Sequence, residues 1–364
     1  MKFYPNFLIA RWSNMKAALF SILILFFAIH LQASEKPFQR FSALPVLAYS
    51  EETSLQYGAM LLLFFKPVEG GTQVSTIDLV ALGSLENQYQ LRTKPHFYFL
   101  GDKLFLPSEF SISKWCGSIY ERSAEGSFDP LDDYENFHFY GKLPLEMNFG
   151  IPNSLPVRYG LVFETDYREN TLDSAWQISK RFQDGFFAGV GYSLAYDSRD
   201  NFNWPTRGFY ARFEENFYFG DFSFHREKLD FRTYFPIIWN TTFSIGALWQ
   251  QSRGSSIPFD YLSGPDGTAR FRGVDSHIWN DTQAIIWQFE LRKTLFWRLA
   301  GTIFFETLQS GPHFGKLFSN QIHTSVGFGG RLALNRSEKL YARGDISLID
   351  GKHIGLTIYL REAF

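Results

Sequence analysis

The sequence predicts an all-β protein whose antiparallel sheet closes into a transmembrane β-barrel. Apolar and polar residues alternate from the mid-fifties to the end of the chain, in runs of about 10–14 residues, whereas strands of soluble proteins average about 5–6. Runs of this length suit tilted strands that cross a bilayer. Aromatic residues make up 19% of the chain, with 41 Phe, 18 Tyr and 9 Trp. This content exceeds what one soluble core needs and is typical of a membrane-facing wall with aromatic girdles.

The segment between Phe209 and Phe219 illustrates the alternation. Phe209 and Phe213 point to one face of the strand, and Arg212 and Glu214 point to the other. In hydrocarbon every backbone N–H and C=O must be paired, so an open sheet edge is excluded and the sheet has to close. The charged face then lines the lumen.

Sixteen strands follow from this alternation, an even number as in bacterial barrels. A long loop, 253–280, follows the eleventh strand and is extracellular if the first strand rises from the periplasm. We expect this loop to fold back into the lumen. The predicted strands are 54–66, 72–83, 88–100, 103–115, 132–148, 156–169, 172–182, 186–197, 206–219, 223–236, 239–252, 281–294, 297–310, 321–334, 337–349 and 353–364.

The N-terminal segment predicts a cleaved signal peptide. Met15 and Lys16 precede the apolar run Ala17–Ile29, and Leu31-Gln32-Ala33 is a suitable cleavage site. The apolar run is shorter than the roughly 20 residues that a spanning helix needs. Met15 alone would make a normal signal, so the true start is either Met1 or Met15. The predicted divisions are 1–33 for the signal peptide, 34–53 for a short lead-in and 54–364 for the barrel.

Composition and motifs argue against several functional classes. The formal net charge is −2 with no basic stripe, which disfavours nucleic-acid binding. The single cysteine, Cys116, excludes an intramolecular disulfide. The chain has no Gly-x-Ser-x-Gly motif, and its histidines lack metal-ligand spacing. We therefore expect no enzymatic activity, no cofactor and no bound metal.

Three short motifs occur in order along the chain. The first is a strand end and turn with Asp197, Arg199, Asp200, Pro205 and Gly208. Asp can cap its own backbone in such a turn, Pro fixes a bend, and Gly allows re-entry, so an ordinary hairpin also fits. The second motif is the loop tip, and the third is the C-terminal run with alternating apolar residues. The loop tip comprises Arg270, Arg272 and Gly273, and the C-terminal run includes Tyr359, Leu360 and Phe364.

Together these motifs resemble the BamA/TamA-like outer-membrane barrel superfamily, also called the bacterial surface antigen family. Its members carry an Asp-x-Arg-Asp…Pro-x-x-Gly turn, an Arg-Gly tip on a long loop after the eleventh strand, and an aromatic C-terminus. The resemblance implies a loop arginine inside the barrel, and carried over it pairs Arg272 with Glu290 and Glu306. Strand parity independently points both glutamates inward. The alternative is a solvated surface loop in which Arg270 and Arg272 bond to water.

The resemblance also implies a function and a C-terminal insertion signal that ends at Phe364. It suggests that the barrel aids insertion or transport of polypeptides or other clients at the outer membrane, through a weak seam between the first and last strands. Two features depart from the family: Glu306 stands where Asp is expected, and only about 20 residues precede the first strand, too few for a periplasmic POTRA domain. The alternatives are a loop-plugged structural or surface-interaction barrel and a passive small-solute pore. The expected partners are membrane lipids, the outer-membrane assembly machinery during biogenesis, and a polypeptide client or separate periplasmic partner.

Overall fold

A computed structural model describes most of the chain from Phe41 to Leu360. The described residues are 41–50, 54–67, 70–85, 87–121, 126, 128–149, 156–172, 183–266, 270–335 and 339–360. The predicted signal peptide lies outside them. Within the described residues, no helix is both long and apolar enough to cross a bilayer.

The described residues form one antiparallel sheet in which each strand pairs with its neighbours along the chain. A 3₁₀ turn, Phe259–Tyr261, and a short helix α1, Phe314–Leu317, lie in connections between strands. The strands are β1 Phe41–Ser50, β2 Ser54–Phe65, β3 Ser75–Ser84, β4 Tyr89–Phe99, β5 Leu104–Pro107, β6 Glu109–Ile119, β7 Asp132–Met147, β8 Val157–Leu172, β9 Gly185–Asp197, β10 Gly208–Gly220, β11 Ser223–Pro236, β12 Thr241–Ser256, β13 Gln283–Phe296, β14 Leu299–Gly311, β15 His323–Asn335, β16 Leu340–Ile349 and β17 His353–Leu360.

These labels correspond to sixteen strand positions in the described sheet. β5 and β6 both pair with β4 and β7, so they are two parts of one strand interrupted at Ser108. The all-β antiparallel prediction is confirmed, as is a sheet of barrel size. Because each consecutive strand is antiparallel to the last, short hairpin connections suffice on most of the circumference.

The predicted set of strands needs one correction. β1 lies in the segment that we predicted as a lead-in, and it pairs with β2 from Phe41↔Leu63 to Ser50↔Ser54. The strand predicted at 172–182 falls outside the described residues, apart from Leu172 at the end of β8. β8 and β9 pair directly with each other in antiparallel register.

The inner and outer faces of the barrel have opposite chemistry. On β13, Glu290 and Arg292 are each only 1% exposed, whereas Trp287 on the other face is 40% exposed. On β14, Glu306 is fully buried and Ile303 is 57% exposed. This alternation places charged side chains in the lumen and apolar ones toward lipid, as a transmembrane β-barrel requires.

Side chains occupy the lumen from both ends. From the loop after β12, Phe271 and Trp279 pack into an apolar cluster with Leu308 and other inward residues of the wall. At the opposite end, the β9–β10 turn inserts Trp204, which is 4% exposed and lies 4.3 Å from the ring of Tyr341. The loop therefore folds into the lumen, as predicted.

The first and last strands meet at a seam. β1 and β17 approach one another, which brings the two ends of the sheet together. No backbone ladder joins them in the part of the chain that the structure describes, whereas every other neighbouring pair of strand positions has one. Among the described residues, the seam therefore has the fewest backbone interactions of any join in the wall.

We expect the loop to become more open as the pH rises. Burial alone would lower the pKa of His277, but its hydrogen bond and charge interaction with Asp275, 3.3 Å away, outweigh burial and raise it, with Asp260 contributing. The stability that protonated His277 gives the folded loop is present below its ordinary pKa and is lost as the pH rises through the raised one.

Hydrogen exchange of the loop amides, corrected for intrinsic rates, should show the effect. The equilibrium constant for opening of the loop should increase between pH 6 and pH 8.5. The increase is up to about tenfold for each pH unit by which the pKa of His277 is raised. His277→Gln should remove most of this dependence. An identical profile in the variant would mean that another group titrates.

Candidate functional site

The loop between β12 and β13 enters the lumen as a closed hairpin. Ser263 and Asp281 form an isolated antiparallel bridge, with N···O distances of 2.7 and 2.9 Å. The hydroxyl of Ser252 donates to the carbonyl of Tyr261 at 2.6 Å. These bonds satisfy buried backbone groups that a loop away from water would otherwise leave unpaired. They also hold the two arms together, so that the segment beyond them reaches the inner wall.

Arg272 binds two glutamates of the inner wall. Its Nε donates to Glu306 Oε1 at 2.8 Å, and its Nη1 donates to Glu290 Oε2 at 2.8 Å. The backbone N–H of Arg272 donates to the other oxygen of Glu306 at 2.7 Å. All three side chains are buried, and the guanidinium carbon lies 3.4 Å from the ring centre of Phe304. The pairing is charge-assisted and fixes both the side chain and the backbone at the loop tip.

Further charges extend this cluster along the wall. Arg292 donates to Glu290 on the same strand, and Arg331 donates to Asp345 at 2.6 Å. Asp345 also lies 3.6 Å from Arg272. Because carboxylates and guanidiniums alternate, each buried charge has an opposite charge nearby, which offsets the cost of removing it from water. We call Arg272, Glu290, Glu306, Arg331 and Asp345 the latch cluster.

The backbone at the loop tip also contacts the last three strands. The carbonyl of Arg272 accepts hydrogen bonds from Ser325 of β15 at 3.0 Å and Ser347 of β16 at 3.2 Å. Gly273 has φ of 90°, which disfavours other residues. A Cβ on Gly355 of β17 would lie only 2.4 Å from the Cα and carbonyl oxygen of Gly273. The tip therefore packs backbone against backbone on β17, the strand beside the seam.

Arg270 lies in the lumen with a different acid. Its Nη2 donates to Asp230 Oδ2 of β11 at 2.5 Å, and its Nη1 donates to Gln288 at 3.4 Å. Sequence reasoning did not single out Asp230 or Asp345 as partners. Strand parity places both on the inward face, but parity alone does not say which inward acid a loop side chain reaches.

The β9–β10 turn is held by its own side chains. Arg199 forms two bonds to Asp197, at 2.8 and 2.7 Å, and its guanidinium lies 4.4 Å from the ring centre of Tyr210. Asp200 accepts from the backbone N–H of Thr206 at 2.8 Å and from its hydroxyl. Buried Pro205 follows Trp204, whose ring lies 5.6 Å from the guanidinium of Arg292. The turn thus reaches the arginine that neighbours the latch cluster.

At the re-entry point of the turn, Gly208 has φ of 108°, and a Cβ there would meet the carbonyl oxygen of Ser198 at 2.4 Å. A side chain at this position would therefore collide with the backbone of the paired strand.

The C-terminal motif is only partly described. Tyr359 lies on β17, opposite Arg343, whose guanidinium is 5.4 Å from the tyrosine ring. β17 ends at Leu360, and Phe364 lies outside the described residues. The insertion signal remains a prediction.

Removing the Arg272 side chain should destabilise the folded barrel. Arg272→Ala leaves two carboxylates in the lumen without their main partner, a change that typically costs about 3–5 kcal/mol. We expect a lower urea midpoint and less heat-resistant folded protein on semi-native gels. Arg253→Ala is the matched control, because exposed Arg253 bonds to neutral Gln251 at 2.7 Å. Equal stability of the two variants would contradict a structural role for the pairing.

The glycine contact between the loop tip and β17 predicts a position-specific effect of alanine. Gly355→Ala forces a Cβ against the backbone of Gly273, so the tip or the strand must shift, at about 1–3 kcal/mol. Gly344→Ala is the control, since a Cβ there has no neighbour within 4 Å. Urea unfolding of both variants measures the difference. Comparable midpoints would mean that the close approach is not maintained in the membrane.

Comparisons with solved structures show barrels of the same fold. BamA from Haemophilus ducreyi lacking POTRA domains 1–3 has a TM-score of 0.57 at 12% identity, over 89% of this chain and 70% of that one. CdiB from Escherichia coli has a TM-score of 0.60 at 12% identity, over 90% and 63%. CdiB from Acinetobacter baumannii has a TM-score of 0.56 at 10% identity, over 89% and 60%. The chain thus spans less than two thirds of either CdiB.

A search of curated proteins found no match to the sequence. The family model of the Omp85 superfamily domain matches residues 73–271, which is more than half of the chain. With the sixteen strand positions, the inward loop and this match together, the chain belongs to the Omp85 superfamily, whose barrels reside in the outer membrane.

Proposed function

We propose that this barrel aids the insertion or transport of polypeptides through the seam between β1 and β17, with the loop tip acting as a latch on β17. The observation that carries the proposal is the contact of Gly273 with Gly355, at the one join that lacks a backbone ladder in the described sheet. Omp85 barrels are involved in protein insertion or secretion, which supports a polypeptide client.

The seam offers unpaired backbone groups to a client strand. An N–H or C=O without a partner in hydrocarbon costs several kcal/mol, so strand edges in a bilayer favour pairing. An extended polypeptide can add to such an edge through main-chain hydrogen bonds, whatever its side chains. β1 is suited to this role because Pro45 removes one N–H donor from the strand.

The latch explains how the seam can stay shut without a ladder. Arg272 holds the tip to β13 and β14 through its two glutamates, and its carbonyl binds the serines of β15 and β16. Gly273 then lies against Gly355. Movement of β17 away from β1 therefore requires the tip to slide or withdraw.

Locking the seam should stop polypeptide insertion. In a Cys116→Ser background, a cysteine pair linking β1 to β17 should abolish the acceleration with which the reconstituted protein inserts a urea-denatured eight-stranded barrel into liposomes. Reductant should restore it. The matched control is Ala59→Cys with Ala81→Cys, a directly opposed pair within the β2–β3 ladder, which should leave the rate unchanged. A seam-locked protein as active as the control would contradict a client route through the seam.

A plugged structural barrel is the second candidate, and the filled lumen favours it over a passive pore. Phe271 and Trp279 block one end and Trp204 enters from the other. Conductance in planar bilayers separates these functions. Large steady currents in the unmodified protein would favour the pore, whereas a closed barrel that also fails the insertion assay would favour the structural role.

A further inference from the structure

A second charged site lies in the lumen, on strands that do not contribute to the latch cluster. It is a cavity of about 250 Å³ between β6, β7, β8, β10, β11 and the loop. Water occupies about 30 Å³ per molecule in the liquid, so the cavity has room for a small solute with a few waters. Its lining includes the charged side chains Lys142, Glu164, Glu214, Arg226 and Lys228 and the ring of Tyr261.

Arg226 lacks the carboxylate partner that several arginines of the inner wall have. Its Nη2 donates to the neutral oxygen of Gln250 at 3.2 Å, and its Nε is buried without a hydrogen-bond partner. Among the described residues, no carboxylate lies within 4 Å of its guanidinium. Each of the following arginines has one: Arg168 with Asp166, Arg212 with Glu146, Arg232 with Asp230, Arg292 with Glu290 and Arg331 with Asp345.

The neighbouring acids bind other cations. Within the described lumen, the charge of Arg226 is therefore balanced only by the Gln250 oxygen and by the Tyr261 ring, 5.3 Å from its guanidinium. Lys228, two residues along the same face of β11, pairs with Asp266 of the loop at 3.0 Å. Lys142 is held between Glu164, at 2.9 Å, and Glu214. Both carboxylates of the cavity are therefore bound by Lys142, and Glu214 also binds Arg212. The cavity presents a guanidinium with an unused N–H, beside an ammonium that has donors to spare.

We propose that this cavity binds a small oxyanion, a phosphate or a carboxylate, with Arg226 as its main ligand and Lys228 as the second. A guanidinium matches the spacing of oxyanion oxygens and can bind two of them at once. The bond is stronger in the lumen than in bulk water because fewer solvent dipoles screen it. The alternative is that cavity water alone solvates Arg226, with no preference for an anion.

Calorimetry on the full protein in detergent, in Tris chloride buffer, tests the proposal with sodium phosphate, glycerol phosphate and sodium acetate as separate titrants. We expect saturable binding of at least one, abolished or weakened at least tenfold in Arg226→Gln and weakened less in Lys228→Gln. Arg253→Gln is the matched control, because Arg253 also bonds to a glutamine side chain but faces outward. It should bind like the unmodified protein.

The pattern of titrants identifies the anion. Binding of both phosphates but not acetate indicates a phosphate group, and preference for glycerol phosphate over inorganic phosphate points to a lipid-type headgroup. Binding of acetate indicates a carboxylate. Absence of saturable binding to the unmodified protein, or equal binding by a heat-resistant, folded Arg226→Gln, overturns the proposal. If Arg226→Gln does not fold, unchanged binding by Lys228→Gln overturns it instead.

Discussion

The pairing of Arg272 with Glu290 and Glu306 is the interaction on which the interior of this barrel depends. Two glutamates on adjacent strands would repel each other in a wall that contacts little water, and a lone guanidinium there would also be costly. A loop that carries Arg272 into the lumen neutralises the two glutamates and gives the guanidinium its partners at the same time. If the loop left the lumen, Arg272, Glu290 and Glu306 would each lose an oppositely charged partner. The position of the loop therefore follows from electrostatics more than from its own backbone preferences.

Once the arginine is fixed, the rest of the tip has little freedom. The bond from its backbone N–H to Glu306 places its carbonyl toward the serines of β15 and β16, and Gly273 then meets Gly355. One loop residue thus links the strands from β13 to β16, and the next residue reaches β17. On the other side, Arg292 connects Glu290 to Trp204 of the β9–β10 turn. Ion pairs and one cation–π contact therefore connect the loop tip to the turn at the opposite end of the barrel.

Strand parity predicted most of the fold because one face must meet lipid and the other cannot. Parity was not sufficient where the sequence alternation is interrupted or where the path of a loop decides which residues meet. Pro45 obscured β1, since proline is read as a strand breaker although an edge strand tolerates it. Asp230 could be placed inward from sequence, but its choice of Arg270 depends on the path of the loop through the lumen. The contact at Gly355 is likewise a property of the folded loop.

An ionic latch suits the proposed function, in which the seam opens for a client. Burying apolar groups against each other would hold the tip as firmly, and replacing buried ion pairs by such groups is often neutral or stabilising. The charged version differs in how it releases. Water or a polar client that enters the lumen can solvate Arg272 and its glutamates as they separate, which lowers the barrier to withdrawal. An apolar tip would gain nothing from that water. On the proposed function, buried charges at the latch cluster therefore favour reversibility over the stability that apolar packing would give.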